Sequence, residues 1–495
     1  MNRALPQFDP SADEPIYRQL YGYFREEILS GRLPRGSRIQ PTRELAGQLG
    51  LNRATVAAAY ELLEAEGLIR GHVGRGSFVD GPGPEPAGMM RWSERLAESL
   101  AAELVVPTPP PGGVVISFAS ARPPDELFPL DEFRATSAEV ISGPEAAQIL
   151  QLGSPHGYAP LRAHLLEQAR RRGAARESDD LMITNGCQQA FDLLQRLLTT
   201  AGDTVLVEDP IYPGLRNVFL RGGVRLVGVP VGAQGLDLEA LERLIARERP
   251  RLLVVTPNFQ NPTGATLPLA ARESLLRLAA GASLPVIEND IYGELRYQGE
   301  DIPALKALDN SGSVVQIKSF SKIAFPGLRV GWILGSHFLV ERLAELKQST
   351  DLHSDQLSQA VLLRFSESGR LERHRRRMVE AGRARLHAVL DACERHLPAG
   401  SHWTRPQGGM NLWARLPEPL DAGELLEDAL REGVAYLPGR FFAVGRHDPG
   451  AFRLSFAGLS PAMIEKGLQI LGGVFHKGRE RSRAARRESA APAIV

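Results

Sequence analysis

After residue 113 the chain alternates between short apolar runs and amphipathic stretches. The apolar runs are rich in β-branched residues and end in turn signals: DTVLVED (203–209), RLLVVTP (251–257), LPVIEND (284–290) and SVVQIKSF (313–320). The amphipathic stretches carry apolar residues at helical spacing, as in LEALERLIARER (238–249) and AARESLLRLAAG (270–281). This alternation predicts an α/β domain with a mainly parallel central sheet and helices on both faces.

The Pro/Gly-rich segments GPGPEPAG (81–88) and PTPPPGG (107–113) separate this region from an N-terminal region of different pattern. Such segments do not form regular structure, so they indicate a linker. We therefore predict a first domain at 1–80, a flexible linker at 81–113, a large domain at 114–475 and a basic disordered tail at 476–495. A flexible linker allows the two domains to move relative to each other.

The N-terminal region contains two helical patterns joined by a tight turn. TRELAGQL (42–49) is followed by GLN (50–52) and then by RATVAAAYELLEAEG (53–67), which presents Val56, Tyr60 and Leu63 on one face. Two helices joined in this way are typical of the DNA-binding helix-turn-helix, whose second helix enters the major groove by its N-terminal residues. Those residues here are Asn52, Arg53 and Thr55. The next segment, LIRGHVGRGSFVD (68–80), predicts a β-hairpin.

The segment IQPTRELAGQLGLNRATVAAAYELLEAEGLIRGHVGRGSFV strongly resembles the winged helix of GntR-family transcription regulators. The resemblance covers about residues 15–80. It implies that Arg43 and Arg53 touch operator DNA, with Thr55 and the wing residues Gly74 and Arg75 assisting. An alternative is a winged helix kept only for protein contacts.

Several residues of the large domain match what an aldehyde coenzyme of the pyridoxal phosphate type requires. Lys322, in SFSKIAFPGLRVG (319–331), supplies an amine that can form a Schiff base. Asp290 ends an apolar strand and can pair with the protonated pyridine nitrogen. Asn261 in QNPTG and Tyr292 can reach the phenolic oxygen. The carboxyl ends of neighbouring parallel strands can bring these positions together.

A phosphate cradle is predicted where TNGCQQAFDLL (184–194) passes from a loop directly into a helix. The backbone N–H groups of a helix N-terminus bind anions, and here they belong to Gly186, Cys187 and Gln188. Ser319 adds a hydroxyl group and Arg329 a guanidinium fork suited to phosphate. Tyr212, in EDPIYPG, can stack on the coenzyme ring. Each signal is weak alone, and their joint order along the chain is what supports the site.

Residues of roughly 115–473 look like a fold-type I aminotransferase, a fold with a mainly parallel central sheet and a smaller α+β lobe. The motifs PNFQNPTG, ENDIYGEL, SFSKIAFPGLRVGW and PQGGMNLW are closest to the branch that handles 2-aminoadipate and aromatic amino acids. The resemblance implies that Arg453 grips the α-carboxylate of the substrate. It also implies a departure, because Leu152 stands where related proteins have a tyrosine that reaches the neighbouring subunit's phosphate. We expect weaker cofactor binding as a result.

A winged helix, a linker and an aminotransferase-like domain in one chain is the arrangement of the MocR subfamily of GntR regulators. The resemblance implies a homodimer that binds pyridoxal phosphate, senses an amino compound and reads operator DNA. Two alternatives stay open. The chain is a working aminotransferase with an appended winged helix, or a regulator that senses pyridoxal phosphate itself. No metal site is predicted.

Composition restricts the compartment and the mode of DNA binding. The 495 residues carry 58 basic and 58 acidic side chains, so any contact with DNA must come from local placement of charge rather than from a bulk field. The two cysteines, Cys187 and Cys393, cannot build a disulfide framework, which favours a reducing compartment. The sequence shows no secretory signal and no apolar stretch long enough for a membrane helix. We therefore expect a cytoplasmic protein.

Overall fold

The computed structural model describes Phe8 and residues 15–29, 32–72, 76–80 and 116–489. The predicted linker at 81–113 lies outside these residues, as do Gly74 and Arg75. The chain divides into two compact units, Met1–Ala102 and Glu103–Val495. In the described part, no helix has both the length and the apolar character needed to cross a membrane.

The first unit contains the two predicted helices and the predicted pair of strands, preceded by a further helix. Its elements are α1 (Ile16–Leu29), α2 (Thr42–Leu49), α3 (Arg53–Ala65), β1 (Ile69–His72) and β2 (Gly76–Val79). Gly50 takes a left-handed conformation (φ 65°) and ends α2, so the chain turns sharply before α3. Val56, Tyr60 and Leu63 are buried in the core of this unit, as their spacing in the sequence predicts. Strands β1 and β2 pair antiparallel.

The second unit begins, in the described residues, at strand β3 (Ile116–Ser117). Its other strands are β4 (Asp179–Thr184), β5 (Thr204–Asp209), β6 (Arg225–Gly232), β7 (Gly235–Leu236), β8 (Leu252–Val255), β9 (Val286–Asn289), β10 (Val314–Ser319), β11 (Gly331–Ser336), β12 (His402–Trp403), β13 (Asn411–Arg415), β14 (Val434–Ala435), β15 (Leu437–Pro438) and β16 (Ala451–Ser455). Its helices are α4 (Leu130–Ser142), α5 (Ala146–Ile149), α6 (Ala159–Arg171), α7 (Gly186–Leu198), α8 (Pro213–Arg221), α9 (Leu238–Glu248), α10 (Leu269–Gly281), α11 (Leu305–Leu308), α12 (His337–Asp351), α13 (Gln356–Glu367), α14 (Arg370–His396), α15 (Leu425–Arg431) and α16 (Pro461–Ser489).

A large mixed sheet forms the centre of this unit within residues 116–489. Its strand order is β4-β11-β10-β9-β8-β5-β6-β7. Strands β10, β9, β8, β5 and β6 pair parallel in succession, whereas β11 and β7 pair antiparallel with their neighbours. The four apolar runs that predicted the sheet are β5, β8, β9 and β10, which are adjacent. Their carboxyl ends therefore meet at one edge of the sheet, where ligands bind in such folds.

A smaller lobe follows the central sheet along the chain. Its antiparallel sheet has the order β12-β13-β16-β15, and β14 pairs parallel with β3. The long helices α14 and α16 pack against each other, and Gly472 allows the close approach, since a Cβ there would lie 2.4 Å from the carbonyl oxygen of His396. The mainly parallel central sheet with a smaller α+β lobe confirms the predicted fold class.

The prediction of a disordered tail at 476–495 is wrong for residues 476–489, because α16 continues to Ser489. Gly478 lets the helix lie close to α15, since a Cβ at this position would be 2.7 Å from a methyl group of Leu425. Arg481 then forms an ion pair with Asp428 of α15. Residues 490–495 lie outside the described part of the chain.

Candidate functional site

The side chain of Lys322 lies at the carboxyl edge of the central sheet. It ends a short 3-10 helix, Phe320–Lys322, that directly follows β10. Its Nζ donates a hydrogen bond to the carbonyl oxygen of Ala121 (2.7 Å) and lies 5.9 Å from the ring centroid of Tyr292. Burial lowers the pKa of Lys322 to about 8, and the nearby guanidinium groups of Arg453 and Arg329 act in the same direction. More of this amine is therefore neutral, and nucleophilic, near neutral pH than in an exposed lysine.

The carboxylate of Asp290 lies at the end of the neighbouring strand β9. The residue is 6% exposed, and its Oδ1 accepts a hydrogen bond from Asn258 Nδ2 (2.8 Å). Its Oδ2 lies 3.6 Å from Lys318 Nζ. Asn258 is held in turn by Arg272, whose Nη2 donates to Asn258 Oδ1 (2.6 Å). Asn258 therefore orients the carboxylate of Asp290, and Arg272 orients Asn258. Such support holds a carboxylate in the one orientation that pairing with a single ligand atom requires.

The buried guanidinium of Arg272 joins the strand ends to the loop at 302–303. Its Nε donates to the carbonyl oxygen of Leu267 (2.9 Å), and Nη1 to that of Pro303 (2.9 Å). Its Nη2 also donates to the carbonyl oxygen of Pro257 (3.0 Å). The side chain is fully buried, and the residues that carry two of these acceptors, Leu267 and Pro257, are buried with it, so the guanidinium satisfies carbonyl groups that water does not reach.

We expect Arg272→Met to destabilise the second unit by about 3–5 kcal/mol, because several buried acceptors lose their donor at once. Urea-induced unfolding, monitored by circular dichroism, measures the change in the free energy of unfolding. The matched control is Arg277→Met on the same helix, α10, where the exposed Arg277 donates a hydrogen bond to Ser274 and, within the described residues, makes no ion pair. Equal unfolding free energies for the two variants would contradict the argument.

Arg453, Asn261 and Tyr292 form a buried chain of hydrogen bonds. Arg453 Nη1 donates to Asn261 Oδ1 (3.0 Å), and Asn261 Nδ2 donates to the Tyr292 hydroxyl (3.3 Å). Arg453 Nη2 donates to the carbonyl oxygen of Ala119, and its guanidinium lies 5.0 Å from the ring centroid of Phe442. Burial lowers the pKa of Arg453 to about 10 and raises that of Tyr292. The Nε of Arg453 is buried and has no partner among the described residues, so a donor is left for a ligand.

The predicted phosphate cradle forms at the start of α7. Gly186 has a left-handed φ of 76°, which favours glycine, and a Cβ there would lie 2.5 Å from Arg329 Nη2, at the end of a flexible side chain. Arg329 Nη2 donates to the carbonyl oxygen of Asn185 (3.3 Å), which places its guanidinium beside the helix N-terminus. The backbone N–H groups of the first turn, including those of Cys187 and Gln188, have no intrahelical acceptor. A helix N-terminus with a guanidinium beside it is suited to hold an anion.

Three further predicted residues lie around this cradle. The side chain of Gln188 donates a hydrogen bond to the carbonyl oxygen of Gly214 (2.9 Å). The backbone N–H of Gln188 belongs to the first turn of α7. Tyr212 immediately precedes α8, and burial raises its pKa in surroundings shared with Cys187, Arg453 and Arg329. The Ser319 hydroxyl is engaged within its own turn, where it contacts Ser321 Oγ (2.9 Å) and the carbonyl oxygen of Val330 (3.1 Å). Its contact with a phosphate stays a prediction.

The donor set fits pyridoxal phosphate on observations of the site itself. A partly neutral amine, a fixed carboxylate, an amide and a phenol lie at one sheet edge with a helix N-terminus and a guanidinium. Two features suit a bound anion, namely the partnerless Nε of Arg453 and the guanidinium of Arg329 beside the N-terminus of α7. When bound, this cofactor supplies an electron sink that stabilises negative charge at the α-carbon of an amino compound.

Sequence reasoning missed several residues of the site. Asn258 and Arg272 hold Asp290, and the carbonyl oxygens of Ala119 and Ala121 bind Arg453 and Lys322. Asn258 stands three residues before Asn261 in a motif already recognised, which was an available signal. The backbone carbonyl groups of Ala119 and Ala121 give no signal in the sequence, because their position depends on the path of the chain rather than on residue type.

In the first unit, the N-terminal end of α3 presents the predicted DNA-contacting residues. Asn52 caps the helix by accepting a hydrogen bond from the backbone N–H of Ala54 (3.0 Å). Arg53 is exposed and Thr55 is half-buried in the first turn. Arg43 belongs to α2, but the structure does not describe its side chain, and Gly74 and Arg75 lie outside the described residues. These DNA contacts stay predictions.

The side chain of Leu152 is 74% exposed. From the sequence we expect this leucine to lack the contact that a tyrosine of related proteins makes with the neighbouring subunit's phosphate. The effect of this leucine on cofactor binding stays a prediction.

Two family models together match most of the chain. The model for aminotransferase class I and II matches residues 115–471, and that for bacterial regulatory proteins of the gntR family matches residues 16–79. The chain is 38% identical to a 2-aminoadipate transaminase of Thermus thermophilus, over 77% of this chain and 97% of that protein. It is 32% identical to the probable rhizopine catabolism regulatory protein MocR of Rhizobium meliloti, over 94% of this chain and 95% of that protein.

A solved structure agrees with this assignment. The kynurenine aminotransferase of Pyrococcus horikoshii, crystallised with PMP, superposes with a TM-score of 0.72 at 34% identity, over 74% of this chain and 92% of that one. The chain therefore belongs to the class I and II aminotransferase family, whose cofactor is pyridoxal phosphate, and it carries a gntR-family helix-turn-helix in the arrangement of MocR-type regulators.

Proposed function

We propose that this chain is a cytoplasmic, homodimeric transcription regulator whose aminotransferase-like unit binds pyridoxal phosphate and responds to an amino compound. The observation that carries the proposal is the fusion itself. A helix-turn-helix with an exposed arginine at the start of its second helix shares one chain with an aminotransferase-like unit whose residues are suited to hold the cofactor. An enzyme needs the second part alone, whereas a ligand-dependent DNA reader needs both.

The proposed roles follow the chemistry of each group. Lys322 holds the cofactor covalently, Asp290 pairs with its ring nitrogen, and Asn261 and Tyr292 donate to its phenolic oxygen. The remaining cofactor contacts are made by Gly186, Cys187, Gln188, Tyr212, Ser319 and Arg329. Arg453 receives the carboxylate of an amino acid, because its Nε is the buried donor without a partner.

An amino acid that enters the site brings a carboxylate to Arg453 and releases the Lys322 amine. Both changes alter charges in a buried region, so they have different free energies in different arrangements of the protein. If one arrangement also binds operator DNA better, the ligand changes DNA affinity, and DNA changes ligand affinity by the same factor. In this proposal the operator contacts come from Arg43, Asn52, Arg53, Thr55, Gly74 and Arg75.

A second candidate function is transamination, and one observation favours it. The released Lys322 amine, with its pKa lowered to about 8, is suited to move a proton at the α-carbon of the bound amino compound. Arg453 is positioned to orient the carboxylate at the same time. The residues needed for turnover are therefore present, and the two functions must be separated by experiment.

The test uses full-length protein with and without pyridoxal phosphate, and DNA from the region flanking its gene. Fluorescence anisotropy gives the DNA affinity, and absorbance follows conversion of the cofactor to its pyridoxamine form with a panel of amino acids. An affinity change with cofactor alone identifies pyridoxal phosphate as the signal, and one that also needs an amino acid supports the proposal as stated. Turnover without DNA binding selects the enzyme. Light scattering checks the dimer against the 54.0 kDa chain.

A further inference from the structure

A cavity of about 690 Å³ borders the cofactor site and shares Asp290 with it. It lies among α6, the loop that follows β9, strand β10 and helix α14, and Asp290 and Asn258 are part of its wall. Lys322, Asn261, Tyr292, Arg329 and Arg453 are not among its lining residues. The volume falls in the range of small-molecule pockets. The cavity is therefore large enough for a ligand of its own.

The polar part of the wall is positively charged. Five basic and three acidic side chains line it: Arg172, Arg296, Lys318, Arg375, Arg383, Asp290, Glu294 and Asp301. Glu294 accepts from both Lys318 and Arg172 (each 3.1 Å), and Arg296 lies 3.6 Å from Asp301. Arg383 donates its Nε to the carbonyl oxygen of Tyr297 (3.0 Å) and makes no ion pair within the described residues. Its guanidinium is thus the available partner for an incoming anion.

Apolar side chains also line the cavity, together with the aromatic rings of Tyr297, Phe320 and Trp332. The aliphatic side chains include Leu165, Ala169, Ile323 and Leu371. A ligand that matches this wall carries an anionic group for the basic side chains and an apolar part for the aliphatic and aromatic ones.

We propose that this cavity binds a small hydrophobic carboxylate and that Arg383 is its principal cation. The carboxylate receives hydrogen bonds from the guanidinium, and the hydrocarbon body packs against Phe320, Ile323 and Trp332. The site is separate from the place at Arg453 where an amino acid substrate puts its carboxylate.

Lys318 connects this cavity to the cofactor site. Its Nζ lies between Glu294 (3.1 Å) and Asp290 (3.6 Å), and all three side chains line the cavity. An anion in the cavity draws Lys318 toward itself and so changes the field on Asp290. This coupling rests on the proposed function, in which Asp290 pairs with the ring nitrogen of the cofactor. Occupancy of the cavity is then a second input to the same regulator.

Calorimetry on the full-length protein loaded with pyridoxal phosphate tests the site, with phenylacetate as the anionic probe and phenylacetamide as its neutral match. We expect phenylacetate to bind and phenylacetamide to bind at least about tenfold more weakly. Arg383→Gln should lose roughly 10- to 100-fold in phenylacetate affinity. Ala169→Phe, which fills the cavity, should also abolish binding, with melting temperature as the check on folding. Arg376→Gln is the control, because Arg376 shares α14 with Arg383 but does not line the cavity.

Three results would overturn the proposal: no binding of phenylacetate, equal binding of the amide, or unchanged affinity in both Arg383→Gln and Ala169→Phe. Calorimetry on the cofactor-free protein separates this site from the proposed function, since the cavity contains no cofactor-binding residue other than Asp290. The coupling has its own readout, namely the pH dependence of the visible absorbance of the bound cofactor. Phenylacetate should shift this pH dependence in the unsubstituted protein but not in Arg383→Gln. If phenylacetate shifts it in neither protein, the coupling is overturned.

Discussion

Replacement of Lys322 by alanine is expected to abolish covalent capture of pyridoxal phosphate. The unsubstituted protein should develop a yellow absorbance band with the cofactor, and borohydride should fix the cofactor to the peptide that contains residue 322. The Lys322→Ala variant should show neither, because no other amine replaces this one. Mass spectrometry of the reduced, digested protein measures the result. Lys466→Ala, at an exposed position of α16, is the matched control and should behave as the unsubstituted protein.

Lys318 is the residue that most sharply tests this assignment, since it is also buried and lies four residues away. Burial alone would lower the pKa of Lys318, but the carboxylates of Glu294 and Asp290 outweigh burial and raise it. Lys318 is thus held charged by two carboxylates, and a charged amine is not a nucleophile. An adduct found on Lys318 in the unsubstituted protein would contradict the site described above.

The pH dependence of capture follows from the lowered pKa of Lys322. The amine must be neutral to attack an aldehyde, and its neutral fraction rises with pH until the pKa is passed. With a pKa of about 8 in the folded protein, the rate of adduct formation should rise from pH 6 and level off above about pH 8. An exposed lysine would continue to gain neutral fraction up to about pH 10.4. A rate still rising steeply at pH 9.5 would show that the amine is not in the buried site.

The sequence predicts the central sheet well, because its strands are short, strongly apolar and separated by amphipathic helices. Strands β5, β8, β9 and β10 all coincide with apolar runs, and their parallel order brings Asp290 and Lys322 to one edge. The sequence does not predict the antiparallel strand β11, because periodicity reports burial rather than strand direction. It also led to a disordered tail where α16 continues, since the contacts that hold the helix, Gly478 against Leu425 and Arg481 with Asp428, involve a distant helix.

The same holds for the candidate site: the sequence indicates residues by their type, but it does not show which neighbours the fold places beside them. Lys322, Asp290 and Asn261 were predicted from their joint order along the chain, and Arg453 from the family resemblance. In the structure Lys322 and Asp290 follow adjacent strands, and Arg453 donates a hydrogen bond to Asn261. Ser319 has the right chemistry, yet its hydroxyl is used within its own turn. Lys318 carries no signal in the sequence, because its importance lies in the two carboxylates that the fold places beside it.

Replacement of Arg53 by alanine is expected to weaken operator binding by roughly 5- to 150-fold, the effect of losing a side-chain contact worth about 1–3 kcal/mol. Arg53 begins α3 directly after the Asn52 cap, so it lies at the N-terminal end of the helix that we predict to enter the major groove. It is exposed and makes no ion pair within the described part of the first unit. Its charge is thus available to DNA, in a chain with no net charge to provide a bulk field.

Arg25→Ala is the matched control, because Arg25 already forms an ion pair with Glu66 (3.1 Å). Glu66 follows the C-terminal end of α3. Anisotropy titrations at several salt concentrations measure both variants. If Arg53 contacts a phosphate, the slope of log affinity against log salt should fall by about one, and all sequences should be bound more weakly. If it contacts a base, discrimination between operator and unrelated DNA should fall instead. Cofactor loading should be unchanged in both variants, since Arg53 belongs to the other unit. Equal affinities for Arg53→Ala and Arg25→Ala would remove α3 as the reading helix.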